Sequence, residues 1–151
     1  MFEHLWKTPG ITDVVVSGGD SYYLTPEQLR MIGERLLEIP HIRRFRFATK
    51  GLAVSPSRIL DPNDTWADEL IRLSWLGRAR GKAIAIHTHF NHPNEFSWVT
   101  RRAAQMLFAN GVTVRNQTVL LRGVNDDVEV MKTLIRDLAD NNIQPVRATL
   151  Y

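Results

Sequence analysis

Apolar residues along the chain follow two spacings, one typical of buried strands and one typical of amphipathic helices. Short runs that are β-branched or that alternate strictly predict five strands, near residues 14, 44, 83, 114 and 146. Between them, apolar residues recur every three or four positions, as Leu29, Ile32 and Leu36 do, and this spacing predicts helices. Strands and helices alternate as in the βα units of a parallel sheet. The predicted fold class is therefore α/β, in a single domain that spans residues 1–151.

Capping and breaking residues set the boundaries of these elements. Thr25, Pro26 and Gln28 form a capping box that predicts the start of a helix, and Pro40 ends that helix. The segment 51–64 holds two prolines and no helical period, so it is predicted to be a loop. The predicted strands cover 13–17, 44–49, 82–89, 113–120 and 146–151, and the predicted helices lie within 1–10, over 25–39, 65–76 and 97–110, and from 125 onward.

Composition excludes several classes of function. The hydrophobic share of 44% and the charged share of 23% are ordinary for a soluble protein. The net charge is +3 and the arginines are scattered, so no nucleic-acid partner is expected. No apolar run approaches the roughly 20 residues of a membrane span and no signal peptide is seen, so we expect a cytoplasmic protein without a membrane partner. The absence of cysteine excludes disulfides and thiolate-held metal or iron–sulfur clusters within the chain.

The first predicted strand ends in Ser17-Gly18-Gly19-Asp20. Glycines let a ligand approach the main chain closely, and here a hydroxyl and a carboxylate flank them. Ligand sites in parallel βα folds lie at the carboxyl ends of the strands. This stretch can therefore hold a polar ligand that carries an ammonium group. The alternative is a plain turn between a strand and a helix.

The third predicted strand runs into three histidines, at positions 87, 89 and 92. His87 and His89 point the same way on a strand, and the alanines before them leave room on that side. Such a pair can bind a divalent metal, as in barrel metal-dependent hydrolases, when later strands supply further ligands. No histidine follows His92, so only carboxylates near Asp126 could complete the shell. The alternatives are a structural histidine pair at a barrel mouth and ligand contacts without a metal.

Two pairs of polar residues and one polar segment also allow two interpretations each. Asn116 and Gln117 face opposite ways on their strand, so one amide faces the cleft or is satisfied by the backbone. Arg44 and Arg46 share one side of theirs; inside a closed barrel they suggest an anionic partner, and on the outer side they are merely solvated. The segment 122–127 either contributes to a site or is only a turn and a helix N-cap.

Four stretches are most informative when they are considered together. They are Val-Ser-Gly-Gly-Asp at 16–20, Ile-Pro-His-Ile at 39–42, Thr-His-Phe-Asn-His-Pro-Asn-Glu at 88–95, and Asn-Gln-Thr-Val-Leu-Leu-Arg-Gly-Val-Asn-Asp at 116–126. In their order and spacing the chain resembles the lysine 2,3-aminomutase family of radical S-adenosylmethionine enzymes. The resemblance runs from about residue 13 to residue 151 and is loosest between 60 and 82.

The resemblance implies a fold, an activity and a set of cofactors. The fold is a partial (β/α)6 TIM-like barrel, with about five of the six strands present. The activity is that of an isomerase that shifts an amino group between neighbouring carbons of an amino acid, a small-molecule substrate. The cofactors are S-adenosylmethionine, a [4Fe-4S] cluster and pyridoxal phosphate. The implied contacts to S-adenosylmethionine, with Asp20 receiving its ammonium group, are Ser17, Gly18, Gly19, Asp20, His89 and Gln117.

The chain also departs from the family. The family's cluster cysteines precede Ser-Gly-Gly-Asp and its pyridoxal-phosphate lysine lies beyond Tyr151, so the chain corresponds to the middle of the enzyme. Ser21-Tyr22-Tyr23 replaces smaller residues, and Lys50 stands where arginine is common. The alternative to an enzyme segment is a non-catalytic remnant that binds a ligand or a partner chain. The family's first strand would pair with the strand at 13–17, so self-association through that edge is expected.

Overall fold

The structure is a computed structural model that describes residues 1–150, with side chains described through residue 146. Strands and helices alternate along it, as the sequence pattern predicts. The strands are β1 (Asp13–Val16), β2 (Arg44–Ala48), β3 (Ala83–Thr88), β4 (Thr113–Leu120) and β5 (Ile143–Leu150). The helices are α1 (Phe2–Lys7), α2 (Pro26–Glu38), α3 (Gly51–Val54), α4 (Ser57–Leu60), α5 (Trp66–Ala79), α6 (Trp98–Ala109) and α7 (Val128–Asp140).

The five strands form one parallel sheet whose spatial order equals their order in the chain. Right-handed crossovers between consecutive parallel strands keep the connecting helices on one face of such a sheet. The α/β class and the βα repeat are thereby confirmed. β1 and β5 form the two edges of the described sheet, so closure into a (β/α)6 barrel stays a prediction, as does self-association through β1.

The two faces of the sheet differ sharply in composition. Phe45 and Phe47 of β2 and Ile84 and Ile86 of β3 point to the helices and are at most 5% exposed. The other face, here called the open face, carries mostly charged, polar or small side chains. The helices fill the core with Leu29, Leu36, Leu37, Leu70, Leu73, Ala103 and Leu107, and the open face presents Asp13, Val15, Arg44, Arg46, Ala83, Ala85, His87, Thr113, Arg115 and Gln117.

The start of α2 confirms the predicted capping box. The Gln28 backbone N–H donates to the Thr25 hydroxyl at 3.3 Å, and the Thr25 N–H donates to the Gln28 side chain at 3.0 Å. The prediction of a loop over 51–64 is wrong, since α3 and α4 lie there. Each helix is a single turn, too short to show a helical period, and Pro56 sits at the N-terminus of α4, where its missing N–H costs nothing.

The last strand begins at Ile143, earlier than the predicted residue 146. Pro145 lies opposite Asn116, and the register between β4 and β5 shifts directly after this pair. A proline has no N–H for the ladder, so it is tolerated on edge strands and at irregularities of this kind. The predicted end of the strand, Tyr151, lies outside the described residues. Over residues 1–150, every helix is too short or too polar to cross a bilayer.

Candidate functional site

The loops that follow β1, β2 and β3 meet at the end of the sheet where the strands have their carboxyl termini. We call residues 17–20 the first-strand loop and residues 89–95 the third-strand loop. Lys50, after β2, connects the two: its backbone N–H donates to Asp20 Oδ2 at 2.8 Å, and its Nζ donates to the His89 carbonyl at 2.8 Å. The carboxyl ends of neighbouring strands thus form one continuous polar region, as expected for a parallel sheet.

The first-strand loop exposes its main chain. Gly18 has a φ of 111° and Gly19 a φ of 127°, values that side-chain-bearing residues rarely adopt. A Cβ atom at either position would meet nothing within 4 Å. Backbone conformation, and not crowding, therefore requires glycine here. The open space beside both residues lets a ligand reach the peptide groups.

Asp20 closes this loop with a carboxylate held on both sides. Its Oδ1 accepts the Tyr22 backbone N–H at 2.8 Å, and its Oδ2 accepts the Lys50 backbone N–H at 2.8 Å. A carboxylate oxygen can accept two hydrogen bonds, so both oxygens keep capacity for a further donor. Asp20 is therefore a fixed acceptor at the rim of the open space.

Tyr22 anchors the chain that follows, and it explains one departure from the family pattern. Its ring packs against Gly51, where a Cβ would collide with it, and lies edge-on to Trp66 with centroids 5.1 Å apart. The phenol donates to the Ser55 carbonyl at 2.8 Å, and burial raises the pKa of Tyr22. Arg58 donates to the Tyr22 carbonyl and stacks on the ring. A large residue fits at position 22 because glycine stands opposite.

A partly exposed ion pair holds the third-strand loop. Lys50 Nζ lies 2.6 Å from Glu95 Oε1, while Glu95 Oε2 accepts the backbone N–H groups of Asn91 at 2.5 Å and His92 at 3.1 Å. Burial alone would raise the pKa of Glu95, but Lys50 and these two N–H groups outweigh it and lower that pKa. Sequence reasoning missed Glu95. The available signal was a carboxylate in the turn after β3 and a cation directly after the neighbouring strand.

Asn116 ties the third-strand loop to β4 from the helix-covered side. Its Oδ1 accepts the Phe90 N–H at 2.6 Å, and its Nδ2 donates to the Phe90 carbonyl at 3.0 Å and to the Thr118 hydroxyl at 2.8 Å. The side chain is 1% exposed. Asn116 is therefore the amide satisfied largely by backbone, and Gln117 is the one on the open face.

The segment 122–127 adds another side chain that bonds to the main chain of the third-strand loop, and it also caps a helix. We call the hydrogen bonds that Asn116, Glu95 and Asn125 make to this loop the clamp. Asn125 is buried; its Nδ2 donates to the carbonyls of Asn91 at 2.7 Å and Val119 at 2.8 Å. Asp126 accepts the Gly123 N–H at 2.9 Å, and Asp127 caps the N-terminus of α7. These contacts agree with the interpretation of this segment as a turn and N-cap.

His87 and His89 stack, with ring centroids 5.8 Å apart and planes at 29°. Burial, followed by the charges of Arg46, His89 and Arg115, lowers the pKa of His87. Within residues 1–150 as described, no three histidine, aspartate or glutamate side chains gather as a metal site would need. The structure therefore offers no additional ligands for the metal-dependent hydrolase alternative.

The predicted contact residues lie on or directly after three strands, β1, β3 and β4, toward their carboxyl ends. Ser17, Gly18, Gly19 and Asp20 form the first-strand loop, and His89 opens the third-strand loop, to which Lys50 connects it. Gln117 lies further along, on β4. Contacts of these residues with a ligand stay predictions.

Comparison with known proteins gives consistent relatives. The chain is 38% identical over 143 residues to L-lysine 2,3-aminomutase of Clostridium subterminale, and 38% identical over 143 residues to that of Fusobacterium nucleatum. It is 34% identical over 143 residues to glutamate 2,3-aminomutase of Clostridioides difficile. Each match covers 95% of this chain and 31–32% of the relative, so the chain spans about a third of the length of these relatives. No protein-family model matches the chain. The resemblance to the lysine 2,3-aminomutase family is confirmed.

Proposed function

We propose that this chain forms the S-adenosylmethionine-binding part of a radical aminomutase whose substrate is an amino acid. The observation that carries the proposal is the first-strand loop, where the two glycines have positive φ beside open space and a fixed carboxylate follows them. The relatives support the reaction class, because their names are lysine and glutamate 2,3-aminomutase.

The loop suits the methionyl end of S-adenosylmethionine. Asp20 offers two carboxylate oxygens to an ammonium group, and charge-assisted hydrogen bonds of this kind are the stronger ones. Gly18 and Gly19 present their peptide groups without side chains, and Ser17 adds a hydroxyl. By the resemblance, His89, which follows β3, and Gln117, within β4, would contact the same ligand. When bound and reduced, S-adenosylmethionine supplies the radical that starts the amino-group shift.

The other two family cofactors receive no residue in this chain. A [4Fe-4S] cluster is held by thiolates, and the 151 residues contain no cysteine. The resemblance places the pyridoxal-phosphate lysine outside the chain. We therefore assign to these residues only the binding and orientation of S-adenosylmethionine, and no step that involves the cluster or pyridoxal phosphate.

Calorimetric titration of the 151-residue chain with S-adenosylmethionine tests this proposal. Asp20→Asn should weaken binding about tenfold or more, because a hydrogen bond to a charged group is worth about 1.5–3 kcal/mol. Asp140→Asn, on the exposed end of α7, removes the same charge away from the site and should leave the affinity unchanged. Absence of saturable binding by the unaltered chain, or equal binding by both variants, would overturn the proposal.

Competition identifies which end of the ligand the first-strand loop holds. Free methionine carries the ammonium group and should displace S-adenosylmethionine from the unaltered chain, but less so from Asp20→Asn. Adenosine lacks this group, so its competition should be equal in both. If methionine fails to compete, Asp20 does not receive the ammonium group. A chain that binds none of the three compounds would favour the non-catalytic remnant.

A further inference from the structure

The lower part of the open face, away from the strand ends just described, contains a trough between two cationic strands. In the sheet register Arg46 of β2 lies beside Ala85 of β3, which lies beside Thr113 of β4. Two residues further along each of these strands, on the same face, His87 lies beside Arg115. Alanine leaves the space between the longer side chains unfilled, and Arg46 and Arg115 line the same cavity across it.

The charge in this trough is unbalanced. Asp13 Oδ2 lies 3.0 Å from Arg44 Nε in an ion pair and accepts a hydrogen bond from Arg46 Nη2 at 3.3 Å, so one carboxylate serves two guanidinium groups. Arg115 has no ion pair among the side chains that the structure describes. Three guanidinium groups against one carboxylate leave an excess of two positive charges, since arginine does not lose its proton in proteins.

Several buried polar atoms in and beside the trough lack hydrogen-bond partners, Asp13 Oδ1 among them. Arg46 Nε and both ring nitrogens of His87 are buried, and by geometry they have no hydrogen-bond partner within the described residues. Gln117 favours the protonated ring of His87, but it is the weakest of the influences on that group. Buried polar groups are nearly always hydrogen-bonded, and an unpaired one in a native structure calls for an unseen partner. These donors come from β2 and β3, and Arg115 adds a third strand.

We propose that this trough binds a small oxyanion, a phosphate or a carboxylate group, between Arg46, His87 and Arg115. Anionic oxygens would satisfy the unpaired donors and offset the excess charge, and guanidinium groups can bind such oxygens through two parallel hydrogen bonds. The neutral His87 ring can donate from one nitrogen, and a bound anion would favour its protonation. None of its three residues is assigned to S-adenosylmethionine; His87 does stack on His89, which is, so separate titrations with phosphate and with S-adenosylmethionine distinguish the two proposals.

Titration of the 151-residue chain with inorganic phosphate, followed by NMR of the histidine rings, tests this site. The His87 resonance should shift saturably, and its pKa should rise when phosphate is bound. Arg115→Gln should weaken binding about tenfold or more. Arg30→Gln on the exposed side of α2 removes the same charge elsewhere and should bind like the unaltered chain.

A second variant separates a built site from general attraction of anions. Ala85→Val fills the trough and keeps every charge, so it should weaken phosphate binding, with circular dichroism confirming that the chain folds. A parallel titration with acetate decides between ligands, because a tighter response to acetate identifies a carboxylate and a tighter response to phosphate identifies a phosphate. If neither ion saturates the His87 shift, or if Arg115→Gln and Ala85→Val both bind as tightly as Arg30→Gln, the proposal is wrong.

Discussion

The first-strand loop and the third-strand loop both lie at the carboxyl ends of the strands, yet they are held by different kinds of contact. In the first, residues 17–19 are exposed; Asp20 anchors the loop through two backbone N–H groups, and the Ser21 hydroxyl, just after it, donates to the Val16 carbonyl just before it. In the third, the side chains of Asn116, Glu95 and Asn125 all bond to the loop's main chain. The peptide groups of the first-strand loop are exposed, whereas several of those in the third-strand loop are hydrogen-bonded to side chains of the protein.

This difference separates recognition from positioning. A loop with free peptide groups beside open space can bind a ligand through its main chain, whereas a clamped loop can only present side chains. Here the hydrogen bonds to the third-strand loop fix the position of His89. Lys50 connects the two loops, since it donates to the His89 carbonyl and to the Asp20 carboxylate. Lys50 thus connects a loop with free peptide groups to a loop whose conformation is fixed by side chains.

The largest effect on stability is expected from Asn116→Ala. This change removes three side-chain hydrogen bonds at a buried site and leaves the Phe90 N–H unpaired, while the Thr118 hydroxyl still donates to the Phe90 carbonyl. We expect the free energy of unfolding to fall by about 2–4 kcal/mol. Urea denaturation followed by circular dichroism measures this loss.

Asn94→Ala is the matched control, because the Asn94 side chain is exposed and lies within the same loop. Its effect should stay within about 0.5 kcal/mol. Equal stabilities of the two variants would mean that the clamp does not hold the third-strand loop.

The first-strand loop should respond through backbone strain alone. Gly19→Ala forces a side chain into a φ of 127° but meets no neighbouring atom, so the expected cost is about 1–3 kcal/mol. Gly10→Ala also meets nothing within 4 Å and has no positive φ, so it should be nearly neutral. The same denaturation experiment compares them. A neutral Gly19→Ala would show that the loop relaxes easily to another conformation.

Local sequence patterns predicted most of the fold and the conformationally special part of the site. Parallel βα order follows from strand spacing, and the glycines of the first-strand loop are visible because few residues tolerate such a turn. The one-turn helices α3 and α4 were missed because a single turn carries no period. The start of β5 was misplaced because Pro145 normally argues against a strand.

The clamp was harder to predict, because its partners are far apart in sequence. Asn116 bonds a residue 26 positions earlier, and Lys50 bonds one 45 positions later. Asparagine is also favoured in turns and at helix N-caps, so residue type alone does not assign the role. Only the strand register brings these groups together. The resemblance selected the right stretches but did not say which of their residues are structural.

The smallest expected effect, and the one with a distinct pH signature, comes from Glu95→Gln. In the native state Lys50 and two backbone N–H groups lower the pKa of Glu95, although its burial opposes them. A carboxyl group whose pKa is lower in the folded state stabilises the protein above its unfolded pKa, about 4.3, and loses that contribution as the pH falls through the folded pKa. Glu95→Gln should therefore cost about 1 kcal/mol at neutral pH.

The cost should shrink progressively as the pH falls from about 4.3 through the lower folded pKa, because below that pKa the native carboxyl group is protonated and no longer pairs with Lys50. Thermal unfolding of both chains between neutral and acidic pH measures this convergence. Glu129→Gln makes the same change in a surface pair with Lys132, where Glu129 is 76% exposed, and its effect should be small at every pH. If the Glu95→Gln difference is the same in acid as at neutral pH, the ion pair with Lys50 does not hold the third-strand loop.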